Sequence, residues 1–141
     1  MNELIQLSPE VAAARAEGRP VVAECGGLLY LSRDLDGRPM CGVIDASAHM
    51  TDRLTLGYRE ARATLDSPLA EKNTRVRGHE FHYSVVEPMA GESPAWELAG
   101  RGLEGFSSGG VHASYLHTHW AAFPGLPRRL VRTAARTGAR A

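Results

Sequence analysis

Three short stretches of the chain combine residue types that do chemistry. The first is Val21-Val22-Ala23-Glu24-Cys25-Gly26-Gly27-Leu28-Leu29-Tyr30. It reads as a short strand, a sharp turn and a helix. A nucleophile elbow needs that order, with small residues beside the turn because neighbouring backbones approach closely there. Ala23 stands two residues before Cys25 and Gly27 two after. A helix starting at the turn points its N-terminus at the sulfur, which lowers the thiol pKa and favours the thiolate. The Gly26 amide, just past the nucleophile, would donate to an oxyanion. The plainer alternative is a small buried cysteine in a glycine turn. Cys41 has no such context and reads as filler in the core or on the surface.

A cysteine nucleophile needs a base. The chain has 6 histidines. The second stretch, Ser114-Tyr115-Leu116-His117-Thr118-His119-Trp120, closes a predicted strand. Catalytic groups in open α/β sheets gather at the carboxyl ends of strands. On a strand His117 and His119 share one face. That geometry also suits a metal, but a zinc site would want a third ligand from His79, His82, His112 or a carboxylate, and no spacing announces one. The third stretch is Gly78-His79-Glu80-Phe81-His82-Tyr83-Ser84. Alternation puts His79, Phe81 and Tyr83 on one side and Glu80 and His82 on the other. A polar strand near a sheet edge is the alternative here.

The elements that must position these residues follow from local pattern. Ser8-Pro9 reads as a helix start, Val11 to Glu17 as helix and Gly18 as its stop. Pro20 to Ala23 reads as a buried strand and Leu28 to Leu35 as helix. Cys41 to Ala46, Leu54 to Leu65 and Arg77 to Glu87 look extended, with turns near Ser67-Pro68 and Glu87-Pro88. Glu92 to Gly105 reads as loop with a helical turn, Val111 to Leu116 as strand, and Leu126 to Arg136 as a closing helix. Helix, strand, tight turn and helix in succession point to an α/β domain.

A length of 141 residues suits one domain rather than two. Lys and Arg total 16 and Asp and Glu 16, so balanced charge argues against nucleic acid or an acidic membrane as the main partner. Only the stretch from Arg128 to Arg140 is basic, and it reads as a solvated helix face. No apolar run approaches the roughly eighteen residues of a membrane span, and Met1 to Gln6 does not read as a signal peptide. Two cysteines in unlike settings suggest a reducing cytoplasm.

Taken together and in order, Ala23-Glu24-Cys25-Gly26-Gly27-Leu28-Leu29-Tyr30-Leu31, Gly78 to Ser84 and Ala113 to His119 resemble motifs of the glutaminase domain of cobyrinic acid a,c-diamide synthases. Leu56-Gly57-Tyr58-Arg59 is similar to a further signature there. The resemblance runs from Ser8 to Ala122. Cobyric acid synthases have a comparable cysteine turn and Tyr-Leu-His but lack the Phe81-His82-Tyr83 wording. The resemblance implies a flavodoxin-like class I glutamine amidotransferase fold, an open and mostly parallel sheet with helices on both faces. It implies Cys25 as nucleophile, His117 as base and then acid, and Gly26 as an oxyanion donor. Glu24, His79, His82 and His119 become candidate supporting residues, with no metal. Glutamine is the implied substrate. The implied partner is a synthetase domain, in the same polypeptide or a separate chain. That domain would use ATP and Mg²⁺ to activate the a- and c-carboxylates of cobyrinic or hydrogenobyrinic acid, and no cofactor is expected in this chain.

Two departures matter. Many class I amidotransferases carry Glu two residues after the histidine, where His119 stands, so a Cys–His dyad is expected. The family's Gly-rich oxyanion loop has no match upstream of Ser8, and no G-x-x-x-x-G-K-[ST] occurs. The expectation is therefore a partial domain without its first strands, weak or inactive alone. The rival reading is a non-catalytic remnant that binds a partner.

Overall fold

The computed structural model describes residues 2–138. Met1 and Arg140, the ends of two stretches read above, lie outside them. In chain order the elements are α1 (Asn2–Ala16), β1 (Val21–Glu24), α2 (Gly26–Leu31), β2 (Asp34–Leu35), β3 (Arg38–Pro39), β4 (Ser47–Ala63), β5 (Arg75–Glu87), β6 (Trp96–Leu98), β7 (Gly102–Glu104), β8 (Phe106–Ser108), β9 (Val111–Ser114), β10 (His117–Thr118) and α3 (Gly125–Gly138).

Gly18 stops α1 as expected. It takes φ 73°, and the N–H groups of Glu17, Gly18 and Arg19 return to the carbonyls of Ala13, Arg15 and Ala14. The start of α1 differs from expectation, since the helix is already running at Asn2 and carries Pro9 inside it. A Ser-Pro pair suits a helix start, but a helix can pass through proline at the cost of a backbone hydrogen bond.

Two sheets share the work. In the smaller, β1 lies parallel to β9, with Glu24 opposite Ser114, and β8 runs antiparallel on the other side of β9. The larger has the order β10-β5-β4-β2-β3, with the β6–β7 hairpin paired to β4. Its spine is the long antiparallel ribbon of β4 and β5. The α/β class stands, but strand direction is more mixed than expected. Parallel pairing is found at β1–β9 and β2–β4, and the remaining strand pairs among the described residues are antiparallel.

Three local readings are corrected. The helix after Cys25 ends at Leu31 rather than Leu35, because the Ser32 hydroxyl donates to the Leu29 carbonyl and the chain turns into β2. Asp36 (φ 51°) and Gly37 (φ 78°) then make a tight hairpin to β3. Asp-Gly is the signature of that turn. Residues 41–46 hold no strand; the ribbon starts at Ser47 instead. Finally, 92–105 holds β6 and β7 instead of a helical turn. Gly100 and Gly102 supply the left-handed backbone their connection needs, at φ 74° and 92°.

The buried residues form two clusters. Leu28, Leu31, Ala46, Ala113 and Tyr115 belong to the first, and Leu69, Trp96, Leu116 and Leu126 to the second. Neighbouring residues Tyr115 and Leu116 thus anchor opposite clusters, so the segment leading to His117 is held from both sides.

Candidate active site

β1 delivers Cys25 and α2 leaves it. The Cys25 N–H donates to the Ser114 carbonyl at 2.8 Å, so hydrogen bonding to β9 continues past the end of β1. Cys25 then takes φ 53° and ψ −107°, a conformation rarely adopted by a residue with a Cβ. That is the strained turn expected of a nucleophile elbow. A Cβ on Gly27 would stand 3.1 Å from the Ala23 Cβ, so the two small residues are a packing requirement.

The sulfur is half-buried. Its S–H donates to the Phe81 carbonyl at 3.8 Å. Burial pushes the thiol above its ordinary value; the Gly26 N–H, donated to the sulfur, opposes this, and the Glu24 and Glu80 carboxylates add to the rise. The lowering expected from a helix N-terminus is therefore outweighed. A helix of 6 residues presents one N–H against desolvation and two carboxylates. The raised pKa disfavours the thiolate, so attack by this thiol requires a base.

His117 opens β10, directly opposite His79 on β5. Their rings stack, with centroids 4.8 Å apart and planes 12° from parallel. Glu24 couples this strand to the elbow. One oxygen of its carboxylate accepts from the Thr118 N–H at 3.2 Å and the Thr118 hydroxyl at 2.6 Å. The residue before Cys25 thus holds the residue after His117. No hydrogen bond joins Cys25 to His117 among the described residues. Gly78 lets β10 come this close, because a Cβ there would run into the His117 carbonyl and sit 2.9 Å from Leu116 Cγ. We expect Gly78→Ala to cost about 1–3 kcal/mol by overpacking, read as a lower midpoint in urea. An unchanged midpoint would mean that β10 is free to yield.

The strand alternation in Gly78–Ser84 is as expected: His79, Phe81 and Tyr83 are exposed, Glu80 and His82 buried. Glu80 binds Arg59 across the ribbon, 3.1 Å from Nη2 and 3.2 Å from Nε. This joins the Leu56–Arg59 and Gly78–Ser84 stretches. The His82 Nδ1–H donates to the Ser84 carbonyl at 2.9 Å, and its ring stacks on Tyr115 with centroids 3.6 Å apart. Burial lowers the His82 pKa. Ser84 and Tyr115 share a hydroxyl hydrogen bond of 2.8 Å, and burial pushes the Tyr115 phenol up to about 12.

His119 is placed differently from expectation. β10 ends at Thr118, so His119 lies in the following turn, exposed, and shares no strand face with His117. Both still line a cavity of about 830 Å³, together with His79, Tyr58, Arg77 and Phe123. Cys25 is not among its lining residues, so that cavity opens on the imidazoles and not on the sulfur. Cys41 packs against the first buried cluster, its sulfur 3.3 Å from the Ser8 hydroxyl. Among the described residues no three His, Cys, Asp or Glu side chains group as metal ligands. No described helix is long and apolar enough to cross a membrane.

Sequence reasoning missed Glu104. It is buried at the end of β7 and accepts from the Ser114 hydroxyl at 2.6 Å and the Tyr115 N–H at 2.8 Å. Burial raises its pKa from 4.5 to about 7, against the pull of those two donors. The one local signal was Gly105 beside it, at φ 84°, where a Cβ would lie 2.7 Å from the Ala113 carbonyl.

Residues 2–125 match the CobB/CobQ-like glutamine amidotransferase domain. The chain belongs to that family. The hydrogenobyrinate a,c-diamide synthase of Streptomyces coelicolor is 62% identical over 127 residues, covering 89% of this chain and 26% of that protein. The cobyrinate a,c-diamide synthase of Gloeobacter violaceus is 45% identical over 124 residues, covering 84% of this chain and 27% of that protein. The chain thus spans about a quarter of the length of these curated relatives. A putative GMP synthase component from Thermoplasma acidophilum shares the fold, with a TM-score of 0.62 at 12% identity over 96% of this chain and 65% of its own. In this amidotransferase domain the position two after the candidate base is His119, and the ring stacked on His117 is that of His79.

Proposed function

We propose that this amidotransferase domain is the glutaminase part of an ATP-dependent amidoligase acting on the a- and c-carboxylates of cobyrinic or hydrogenobyrinic acid. The observation that carries this reading is the strained Cys25 turn, tied through Glu24 and Thr118 to the strand bearing His117. The names of the two relatives supply the acceptor. Cys25 Sγ attacks the side-chain amide carbon of glutamine, and His117 takes the thiol proton that burial keeps on the sulfur. The Gly26 N–H turns from the sulfur to the oxyanion. His117 returns the proton to the leaving nitrogen and ammonia departs. Water, deprotonated by His117, then cleaves the γ-glutamyl thioester and yields glutamate. The synthetase part, with ATP and Mg²⁺, activates the acceptor carboxylate and receives the ammonia. No cofactor acts in the glutaminase step.

A glutamine-like electrophile tests the assignment of the nucleophile. Peptide mapping is expected to find the adduct on Cys25, and Cys25→Ser to abolish it while Cys41→Ser leaves it. Preferential labelling of Cys41 would sink the reading.

A further inference from the structure

Both arms of the candidate site depend on one short segment, Ser114 to Thr118. The Ser114 carbonyl holds the Cys25 N–H at 2.8 Å. The Ser114 hydroxyl accepts from the Leu116 N–H at 2.9 Å, which shapes the step from β9 to β10. That hydroxyl has a single proton, and it goes to Glu104 Oε2 at 2.6 Å. The other oxygen of Glu104 takes the Tyr115 N–H at 2.8 Å. One carboxylate therefore fixes two successive residues, of which the first carries the Cys25 backbone and the second leads to His117. No cation pairs with Glu104 among the described residues; its partners are the Ser114 hydroxyl and the Tyr115 N–H.

We infer that Glu104 is a positioning residue for the glutaminase reaction, setting Cys25 and His117 against each other through Ser114 and Tyr115. The inference rests on the glutaminase reading of Cys25 and His117. Glu104 touches neither of them directly. Its two acceptors keep the Ser114 hydroxyl from rotating away from Leu116, and keep the Tyr115 N–H from being buried unpaired. Without them the step between β9 and β10 is free to adopt other turns. Misplacing a catalytic group by about 1 Å costs on the order of a hundredfold in rate. Glutamine would still bind, since Glu104 is buried and its carboxylate is taken up by Ser114 and Tyr115.

The test uses the whole chain with Glu104→Ala and Glu104→Gln. Gln retains an acceptor for the Tyr115 N–H but presents a donor to Ser114, so it is the milder change. Two quantities are read for each: kcat and KM for glutamine hydrolysis, and the pH profile of alkylation by iodoacetamide at Cys25, with Cys41 as internal control. For Glu104→Ala we expect kcat to fall about a hundredfold with KM within about threefold. We also expect its Cys25 profile to move up by about one pH unit as the turn held by the Ser114 carbonyl loosens and the Gly26 N–H leaves the sulfur, with Cys41 unmoved. Glu104→Gln is expected to recover most of both. An unmoved Cys25 profile in Glu104→Ala would overturn the inference. So would equal shifts at both cysteines, which report loss of folding, or equal damage in the two variants. If the unaltered chain alone hydrolyses no glutamine, as expected of a partial domain, the alkylation profiles decide whether Glu104 sets the Cys25 environment, whereas an electrophile that labels Cys41 in preference to Cys25 is what refutes the glutaminase reading.

Discussion

Replacing His117 by Asn is expected to lower glutamine hydrolysis by about 10²–10⁴-fold, the span of a lost general acid–base. His119→Asn is expected to cost less than about tenfold, within what a lining residue contributes. The ranking follows from placement. His117 lies on β10, backed by the His79 ring and tied through Thr118 to Glu24 beside the nucleophile. His119 lies past the strand end, exposed. The burial that raises the Cys25 pKa makes the base more necessary, because little thiolate is present without it. In a protein that also carries the synthetase part, His117→Asn should spare amidation driven by free ammonia. Steady-state rates with glutamine and with ammonium salt check both statements, and a larger loss from His119→Asn would refute the assignment.

The second large effect concerns stability against pH, where two buried groups oppose each other. Glu104 is raised from 4.5 to about 7 and His112 lowered from 6.5 to about 4, each chiefly by burial. The folded chain holds a proton on Glu104 that the unfolded chain releases between those values. Its contribution to stability is full below pH 4.5 and is lost as pH rises to about 7. For His112 the unfolded chain is the one that binds the proton. Its contribution is full above pH 6.5 and is lost as pH falls through about 4. Each shift corresponds to about 3 kcal/mol, so the two nearly cancel where they overlap. Glu104→Gln removes the first slope. Relative to the unaltered chain, that variant should gain about 3 kcal/mol on going from pH 4.5 to 7.5. His112→Phe removes the second, and should lose a similar amount over the same range. Urea unfolding at several pH values measures these differences. Parallel curves for all three proteins would show that neither group is held in its unusual state.

The candidate residues were legible because each sits in a motif with local logic. A short strand, Cys25, two glycines and an apolar run describe an elbow whatever surrounds it, and the structure bears out both the turn and the need for Ala23 and Gly27 to be small. Alternation along β5 is likewise local, since successive side chains on a strand must face opposite ways. The closing helix and the Gly18 stop were also readable.

What the sequence could not decide were relations between segments distant in the chain. The β4–β5 ribbon begins earlier than the apolar pattern suggested, because pairing between Ser47 and Glu87 extends strands through residues with little β preference. β6 and β7 look like loop in isolation and become strands by pairing with each other and, through β6, with β4. The direction of the Cys25 shift was misjudged for a similar reason. A helix N-terminus is visible in the sequence, whereas burial and the approach of Glu80 from another strand are not. Glu104 stayed hidden because no residue type or spacing marks a carboxylate whose partners, Ser114 and Tyr115, lie at the end of the next strand but one. Sequence by itself determined the strained turn at Cys25 and the alternation along β5. Tertiary structure alone decided what surrounds them, because burial and long-range hydrogen bonds exist only once the two sheets are formed.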